Sequence, residues 1–257
     1  MSRWDEPGGP IRLDGQVAVL TGASRGICLA IAHAFVGAGA KVVITGRRED
    51  ALKAAVAELG PDARCVAGSV GDDAMADETC AVAVEAFGRL DILVNGAGTN
   101  PQYGPLIEAD MAAVDKVMAV NLRAPLVWSQ AAWRAGLRDG GGSILNLTSV
   151  AAFMPSPLTG AYAISKAALA MLTRSLATEL GPDVRVNALA PAVVRTKFSE
   201  ALYEDEPAVV ATYPMGRLGE PPDVAQAALF LSSPAASWIT GVVLPIDGGS
   251  MAGRLRY

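Results

Sequence analysis

At 257 residues and a net charge of −5, the chain is long enough to bury about three quarters of its unfolded surface. Its 21 basic and 26 acidic side chains are scattered, which leaves no electrostatic footprint for nucleic acid. Cys28, Cys65 and Cys80 are odd in number and lack C-x-x-C spacing, and His33 is the one histidine, so neither a disulfide framework nor a metal centre fits. The amino terminus has no basic-then-apolar leader pattern, and no apolar run approaches the roughly 20 residues of a membrane span. The expectation is a reduced, cytoplasmic protein with neither nucleic acid nor membrane as partner.

Residues 1–13, rich in Gly and Pro, read as a flexible arm, and residues 14–257 as one domain. Short apolar runs then follow at 17–20, 41–45, 63–67, 91–95, 143–147, 184–189 and 242–246. They are apolar on both faces, the mark of parallel strands covered by helices on each side. Helical patterns lie between them at 26–38, 50–59, 73–87, 110–135, 161–180 and 221–231. His33 falls off the Ile27, Ile31, Phe35 stripe of the first and belongs on a flank or the surface. The rhythm predicts an α/β domain, doubly wound, with right-handed crossovers. Residues 192–216 are its one long interruption and read as a loop able to close as a lid, with Pro207 and Pro214 near its end.

Between the first strand and helix lies Thr21-Gly-Ala-Ser-Arg-Gly-Ile-Cys28. Such a turn offers backbone N–H groups and the positive end of a helix dipole to a pyrophosphate, and Gly22 and Gly26 remove the β-carbons that would bar its approach. No Gly-Lys-Ser/Thr follows, which disfavours a nucleoside-triphosphate loop. The second strand ends Thr45-Gly-Arg-Arg48, without the acid that would hold the 2′-hydroxyl of NAD. Arg47, with Arg25 from the glycine turn, instead suits the 2′-phosphate of NADP(H), and Gly46 leaves it room.

A fifth strand ends at Thr148-Ser149, and the following long helix carries Tyr162-Ala-Ile-Ser-Lys166. A spacing of four puts Tyr162 and Lys166 on one helical face. A free tyrosine titrates near pH 10, so a neighbouring ammonium and a positively charged nicotinamide would draw its proton affinity toward neutrality. Tyr162 would then exchange a proton with a substrate oxygen while hydride moves at the adjacent carbon, and Ser149 would donate to the same oxygen.

In these motifs, together with Asn95-Gly-Ala-Gly98, Asn121, the stretch Pro191 to Thr196 and Asp247-Gly-Gly249, the chain resembles the compact, single-domain short-chain dehydrogenases/reductases from about Asp14 to Gly249. The resemblance implies a Rossmann-like seven-stranded sheet of order 3-2-1-4-5-6-7. It implies a catalytic tetrad of Asn121, Ser149, Tyr162 and Lys166, in which Lys lowers the Tyr pKa and bonds the nicotinamide ribose, and Asn orders a water behind Lys. Cofactor contacts are implied at Gly22, Ser24, Arg25, Gly26 and Ile27 in the first turn, and at Arg47 and Arg48 after the second strand. Further contacts are implied at Ser69 and Val70 after the third, at Asn95, Gly96 and Ala97 after the fourth, and at Pro191, Val194 and Thr196 after the sixth. It also implies a homotetramer, or a dimer, built on the helix of Tyr162 and the one before it.

The sequence departs from the family pattern at four places. Cys28 replaces a glycine, Gly96 a second asparagine, Ser69 an aspartate and Ala192 a glycine. All four substitutes are small, and altered affinity rather than lost activity is expected. The three residues between Tyr162 and Lys166 set enoyl reductases of this architecture aside, since those have six. The reading is an NADP(H)-dependent oxidoreductase interconverting a ketone and a secondary alcohol, a ketoreductase close to 3-oxoacyl-carrier-protein and carbonyl reductases. An NAD(H)-dependent alcohol dehydrogenase of the same family and a non-catalytic nucleotide sensor remain as alternatives. Gln102, Tyr103, Phe153, Met154, Phe198, Leu202, Tyr203 and Met215 are the expected pocket walls, mostly apolar, and point to a hydrophobic small-molecule carbonyl or alcohol.

Overall fold

The computed structural model describes residues 11–252. Seven strands form one parallel sheet in the order β3-β2-β1-β4-β5-β6-β7. They are β1 (Val17–Leu20), β2 (Lys41–Gly46), β3 (Ala63–Ala67), β4 (Ile92–Asn95), β5 (Gly142–Leu147), β6 (Val184–Pro191) and β7 (Val243–Ile246). Side chains alternate across the sheet, so that Ala18 and Leu20 of β1 enter one core while Val17 and Val19 enter the other. Helices α1 (Gly26–Gly37), α2 (Glu49–Leu59) and α9 (Pro221–Ser232) cover the first face. Helices α3 (Asp73–Phe87), α5 (Ala124–Ala132) and α7 (Gly160–Leu180) cover the second.

The expected helix at 110–135 runs further and is not regular. It comprises α4 (Met111–Met118), a π turn at Ala119–Arg123, α5, a second π turn at Trp133–Leu137 and a last turn α6 (Arg138–Gly140). The lid segment is also more ordered than a plain loop, with a 3₁₀ turn at Glu200–Leu202 and a short helix α8 (Glu206–Val210). Of the expected arm, residues 1–10 lie outside the described residues. Leu13 does not behave as part of one: it is wholly buried, and its N–H donates to Ala38 at 2.9 Å. The sheet order reverses between β1 and β4, and in an open parallel sheet the crevice at the carboxyl ends of such strands is where ligands bind.

Candidate active site

The turn after β1 is shaped as the glycines require. Gly22 and Gly26 have φ of 69° and 63°, and a Cβ on Gly22 would lie 2.9 Å from the Ala97 backbone. Close approach therefore needs glycine there. Helix α1 starts at Gly26, and no side chain caps its first N–H groups, so these donors are free for a phosphate. Thr196 leans over the same turn, its methyl 3.5 Å from where a Gly26 Cβ would be.

Beyond the turn, Ser24, Arg25, Arg47 and Arg48 line a cavity of about 110 Å³. The space expected beside Gly46 is filled by Ser24, whose Oγ would lie 3.3 Å from a Cβ at that position. Arg48 is 3.9 Å from Asp50, and Glu49 is paired with Lys53 at 2.7 Å. Among the described residues Arg25 and Arg47 have no ion-pair partner. An anion between them would meet two uncommitted guanidinium groups. Ser69 and Val70 stand in the loop after β3, where Ser69 Oγ accepts from the Gly71 N–H at 3.3 Å and the Val70 carbonyl accepts from Trp128 at 3.1 Å.

The turn after β4 is tied to the one after β1 by Thr21, whose Oγ1 accepts from Gly96 at 2.9 Å and from Ala97 at 3.2 Å. The Asn95 side chain is turned into the protein. Its amide is buried and bonds Asn146 at 2.9 Å, with longer contacts to Pro125 and Ser129. It braces β4 against β5 and α5. On the far side, the end of β6 carries Pro191, and Val194 pairs with Gly219 while its carbonyl accepts from the Ser199 hydroxyl.

The four tetrad residues converge at the carboxyl ends of β4 and β5. Ser149 ends the segment after β5, where its Oγ caps the next 3₁₀ turn by accepting from Ala151 at 3.2 Å, and its hydroxyl is close enough to the Tyr162 phenol to favour the phenolate. Lys166 is buried, donates to the Leu147 carbonyl at 2.8 Å and holds its ammonium 5.5 Å from the centre of the Tyr162 ring. Asn121, wholly buried in the first π turn, accepts from Thr99 N–H and donates to Thr99 O, both at 2.9 Å. It also donates to Ser165 at 3.0 Å. Both the Asn121 carbonyl oxygen and Lys166 Nζ would lie 3.7 Å from a Cβ on Gly98, so Gly98 adjoins both groups.

Electrostatics depart from expectation at Tyr162. Burial pushes its phenol up to about 12, and the Ser149 hydrogen bond offsets only part of that. Lys166 is itself lowered by burial, to about 8, and an ammonium that is partly neutral at pH 8 gives less help to a phenolate. At Tyr162 desolvation prevails.

Residues missed by sequence reasoning are Thr21, Ser165, Phe198 as a contact of Tyr162, and Arg195. The Phe198 and Tyr162 ring centres are 6.3 Å apart. Arg195 forms a fork to Glu206 at 2.7 and 2.8 Å and reaches Glu220 at 2.9 Å. Only its place between Val194 and Thr196 could have signalled it. His33 is on the surface, 3.6 Å from Glu58. No helix among the described residues is long and apolar enough to cross a membrane.

Comparison with known proteins matches this arrangement. The sequence model of the family described as "Enoyl-(Acyl carrier protein) reductase" matches residues 22–251. Dehydrogenase/reductase SDR family member 4 of Bos taurus is 38% identical over 93% of this chain and 88% of its own length. Galactitol 2-dehydrogenase (L-tagatose-forming) of Cereibacter sphaeroides is 43% identical over 93% of this chain and 96% of its own. A solved structure from Beutenbergia cavernae with NADP bound at low occupancy has a TM-score of 0.88 and 39% identity, covering 95% of this chain and 100% of that one. The chain belongs to the short-chain dehydrogenase/reductase family, nicotinamide-dependent oxidoreductases acting on alcohol and ketone substrates.

Proposed function

We propose that the protein reduces a ketone to a secondary alcohol with NADP(H), with Tyr162 as the proton donor. The observation that carries this is the Ser149, Tyr162, Lys166 cluster: a serine hydroxyl next to a buried phenol, with an ammonium 5.5 Å from the phenol ring. Burial keeps the proton on Tyr162 at neutral pH, the form needed to donate to a carbonyl oxygen as it gains charge. Ser149 donates to the same oxygen. Lys166, held by the Leu147 carbonyl, stabilises the phenolate left behind, and Asn121 fixes the segment that starts at Thr99. The bound nicotinamide supplies the hydride.

The choice of NADP(H) rests on the cavity of Ser24, Arg25, Arg47 and Arg48. Its guanidinium groups suit a 2′-phosphate, and the nearby acids, Glu49 and Asp50, are engaged with Lys53 and Arg48. A cytoplasmic setting, with NADPH kept reduced, favours this direction. Phe153, Met154, Phe198, Leu202 and Met215 are exposed apolar residues suited to the hydrophobic part of a substrate. Ile164 and Met171, exposed on α7, and Met111 at the start of α4 form the face on which copies pair in a homotetramer.

The deciding experiment is ketone reduction with NADPH by the wild type and Tyr162→Phe. The variant is expected to lose at least about a hundredfold in kcat with cofactor affinity nearly unchanged; undiminished turnover refutes the assignment. Titration of nicotinamide fluorescence tests the cofactor. NADPH should bind more tightly than NADH, and Arg47→Ala should weaken NADPH by roughly tenfold to a hundredfold. Tighter binding of NADH would reverse the choice.

A further inference from the structure

The Asp247-Gly-Gly249 turn after β7 is the seat for the far end of the 192–216 segment. Asp247 closes the turn, its carboxylate accepting from the Gly249 N–H at 3.0 Å and the Met251 N–H at 2.8 Å. Gly248 and Gly249 have φ of 57° and 84°. A Cβ on Gly248 would stand 3.6 Å from the Tyr213 ring, and one on Gly249 3.0 Å from Pro214, so the absence of side chains lets the segment lie close. The Met215 N–H donates to the Gly248 carbonyl at 3.1 Å. Residues 213–215 are thus packed and hydrogen-bonded on a glycine turn.

From this seat the buried Tyr213 side chain reaches back to the start of the segment, where its hydroxyl accepts from the Val193 N–H at 3.2 Å. Val193 opens the stretch that leads from the glycine turn after β1 to Tyr162. Thr196 stands over that turn, its methyl 3.5 Å from where a Gly26 Cβ would be, and the Phe198 ring centre is 6.3 Å from that of Tyr162. A dinucleotide with its pyrophosphate at the start of α1 and its reactive carbon at Tyr162 must pass this stretch with its nicotinamide half. The backbone here is otherwise tied. Arg195 N–H donates to Gly219 at 2.8 Å, Gly219 N–H donates to Val193 at 3.1 Å, and the Val194 carbonyl accepts from the Ser199 hydroxyl. Of the N–H groups of Val193, Val194 and Arg195, only that of Val194 has no partner among the described residues. A backbone donor on a buried residue seldom goes unpartnered, and Val194 is buried, so this donor is left for a ligand's acceptor.

We infer that Tyr213 is a positioning residue for the nicotinamide half of the cofactor: its hydroxyl pins Val193, and so holds the Val194 N–H in place for the oxygen of the nicotinamide amide. Tyr213 acts through the backbone and holds no reacting atom. The inference rests on the proposed seats of the pyrophosphate at α1 and of the reacting carbon at Tyr162, and it holds for either dinucleotide and any carbonyl substrate.

The test is titration of NADPH and of 2′,5′-ADP, which has the adenosine and 2′-phosphate but no nicotinamide, into the wild type and Tyr213→Phe. The variant keeps the ring on Gly248 and removes the acceptor. It should bind NADPH about fivefold to tenfold more weakly, the loss of one hydrogen bond, and 2′,5′-ADP as the wild type does. Damage to the fold at large would weaken both ligands alike, so equal losses, or no loss of NADPH affinity, overturn the inference. Should NADH prove the tighter cofactor, the choice of NADP(H) fails alone, and NADH with ADP-ribose then makes the same comparison. Undiminished turnover in Tyr162→Phe would likewise remove the proposed acid without changing these affinities. Hydrogen exchange of the wild type gives a reading that needs no variant: saturating NADPH should slow amide exchange over residues 192–199 beyond what saturating 2′,5′-ADP does. Equal protection by the two ligands overturns the inference even if Tyr213→Phe does not fold.

Discussion

Cys28 lies in the volume that a side chain at position 96 would need. A Cβ built on Gly96 would be 2.1 Å from Cys28 Sγ and 3.1 Å from the Thr21 carbonyl, so the two departures from the family pattern are a matched pair. Each was visible in the sequence as a small substitute, but their contact joins α1 to the turn after β4 and was not. The backbone at Gly96 has no positive φ, so an alanine there meets only the steric obstacle. Gly96→Ala should destabilise by about 1–3 kcal/mol through overpacking, and Cys28→Ala by about 1 kcal/mol through the space it leaves. The double variant should be more stable than the sum of the two losses by roughly 0.5–3 kcal/mol. Urea unfolding of the four proteins measures that coupling, and strict additivity would show that the sulfur moves aside freely.

At the scale of elements, the central strands were legible because burial on both faces makes them continuous apolar runs, and all seven expected ranges overlap the observed ones. The long helix after β4 was legible as a helix but not in its register. Its π turn puts Asn121 among Thr99 and Ser165, and such a turn is set by those tertiary bonds rather than by local propensity. The segment 192–216 was legible only as an interruption. In the structure it is clasped by Arg195, which joins the strand β6 exit to Glu206 of α8 and to Glu220 at the cap of α9. The same segment sets Phe198 beside Tyr162, so on the proposed role of Tyr162 a looser clasp would alter how the segment meets the substrate. All three partners are about half exposed, which limits each pair to about 1 kcal/mol or less and makes it sensitive to salt. Arg195→Gln should therefore raise the ketone KM by about threefold to tenfold with a smaller change in kcat. Wild-type KM should climb toward the variant's value as salt increases, while the variant's stays level. Identical salt profiles would mean that the clasp is ornamental to turnover.

For the molecule as a whole, placing four titratable groups in dry surroundings sets how stability depends on pH. Lys166 is lowered to about 8, whereas Tyr162, Cys28 and Cys80 are each raised to about 12, all mainly by burial. None of this could be read from the sequence, where a lysine four residues from a tyrosine suggested mutual charge stabilisation; the depth of the site reverses the balance. Above pH 8 the folded protein has released the Lys166 proton that the unfolded chain still holds, so stability rises with pH until the free lysine titrates near 10.5. Above pH 9 the unfolded chain loses the thiol protons that folded Cys28 and Cys80 retain, and above pH 10 it loses that of Tyr162 as well. Each of these three lowers stability as pH climbs. One group contributes at most about 1.4 kcal/mol per pH unit, so the rise from Lys166 stands alone only between pH 8 and 9, and the losses outweigh it above. Urea midpoints between pH 7 and 11 should show a maximum near pH 9. Lys166→Met should remove the rise on the acid side of that maximum, and Cys28→Ala should make the alkaline fall shallower. A wild-type curve that is flat from pH 8 to 9, or the same rise in Lys166→Met, would mean that Lys166 keeps its proton in the folded protein, with the ammonium then available to the Tyr162 phenolate at every working pH.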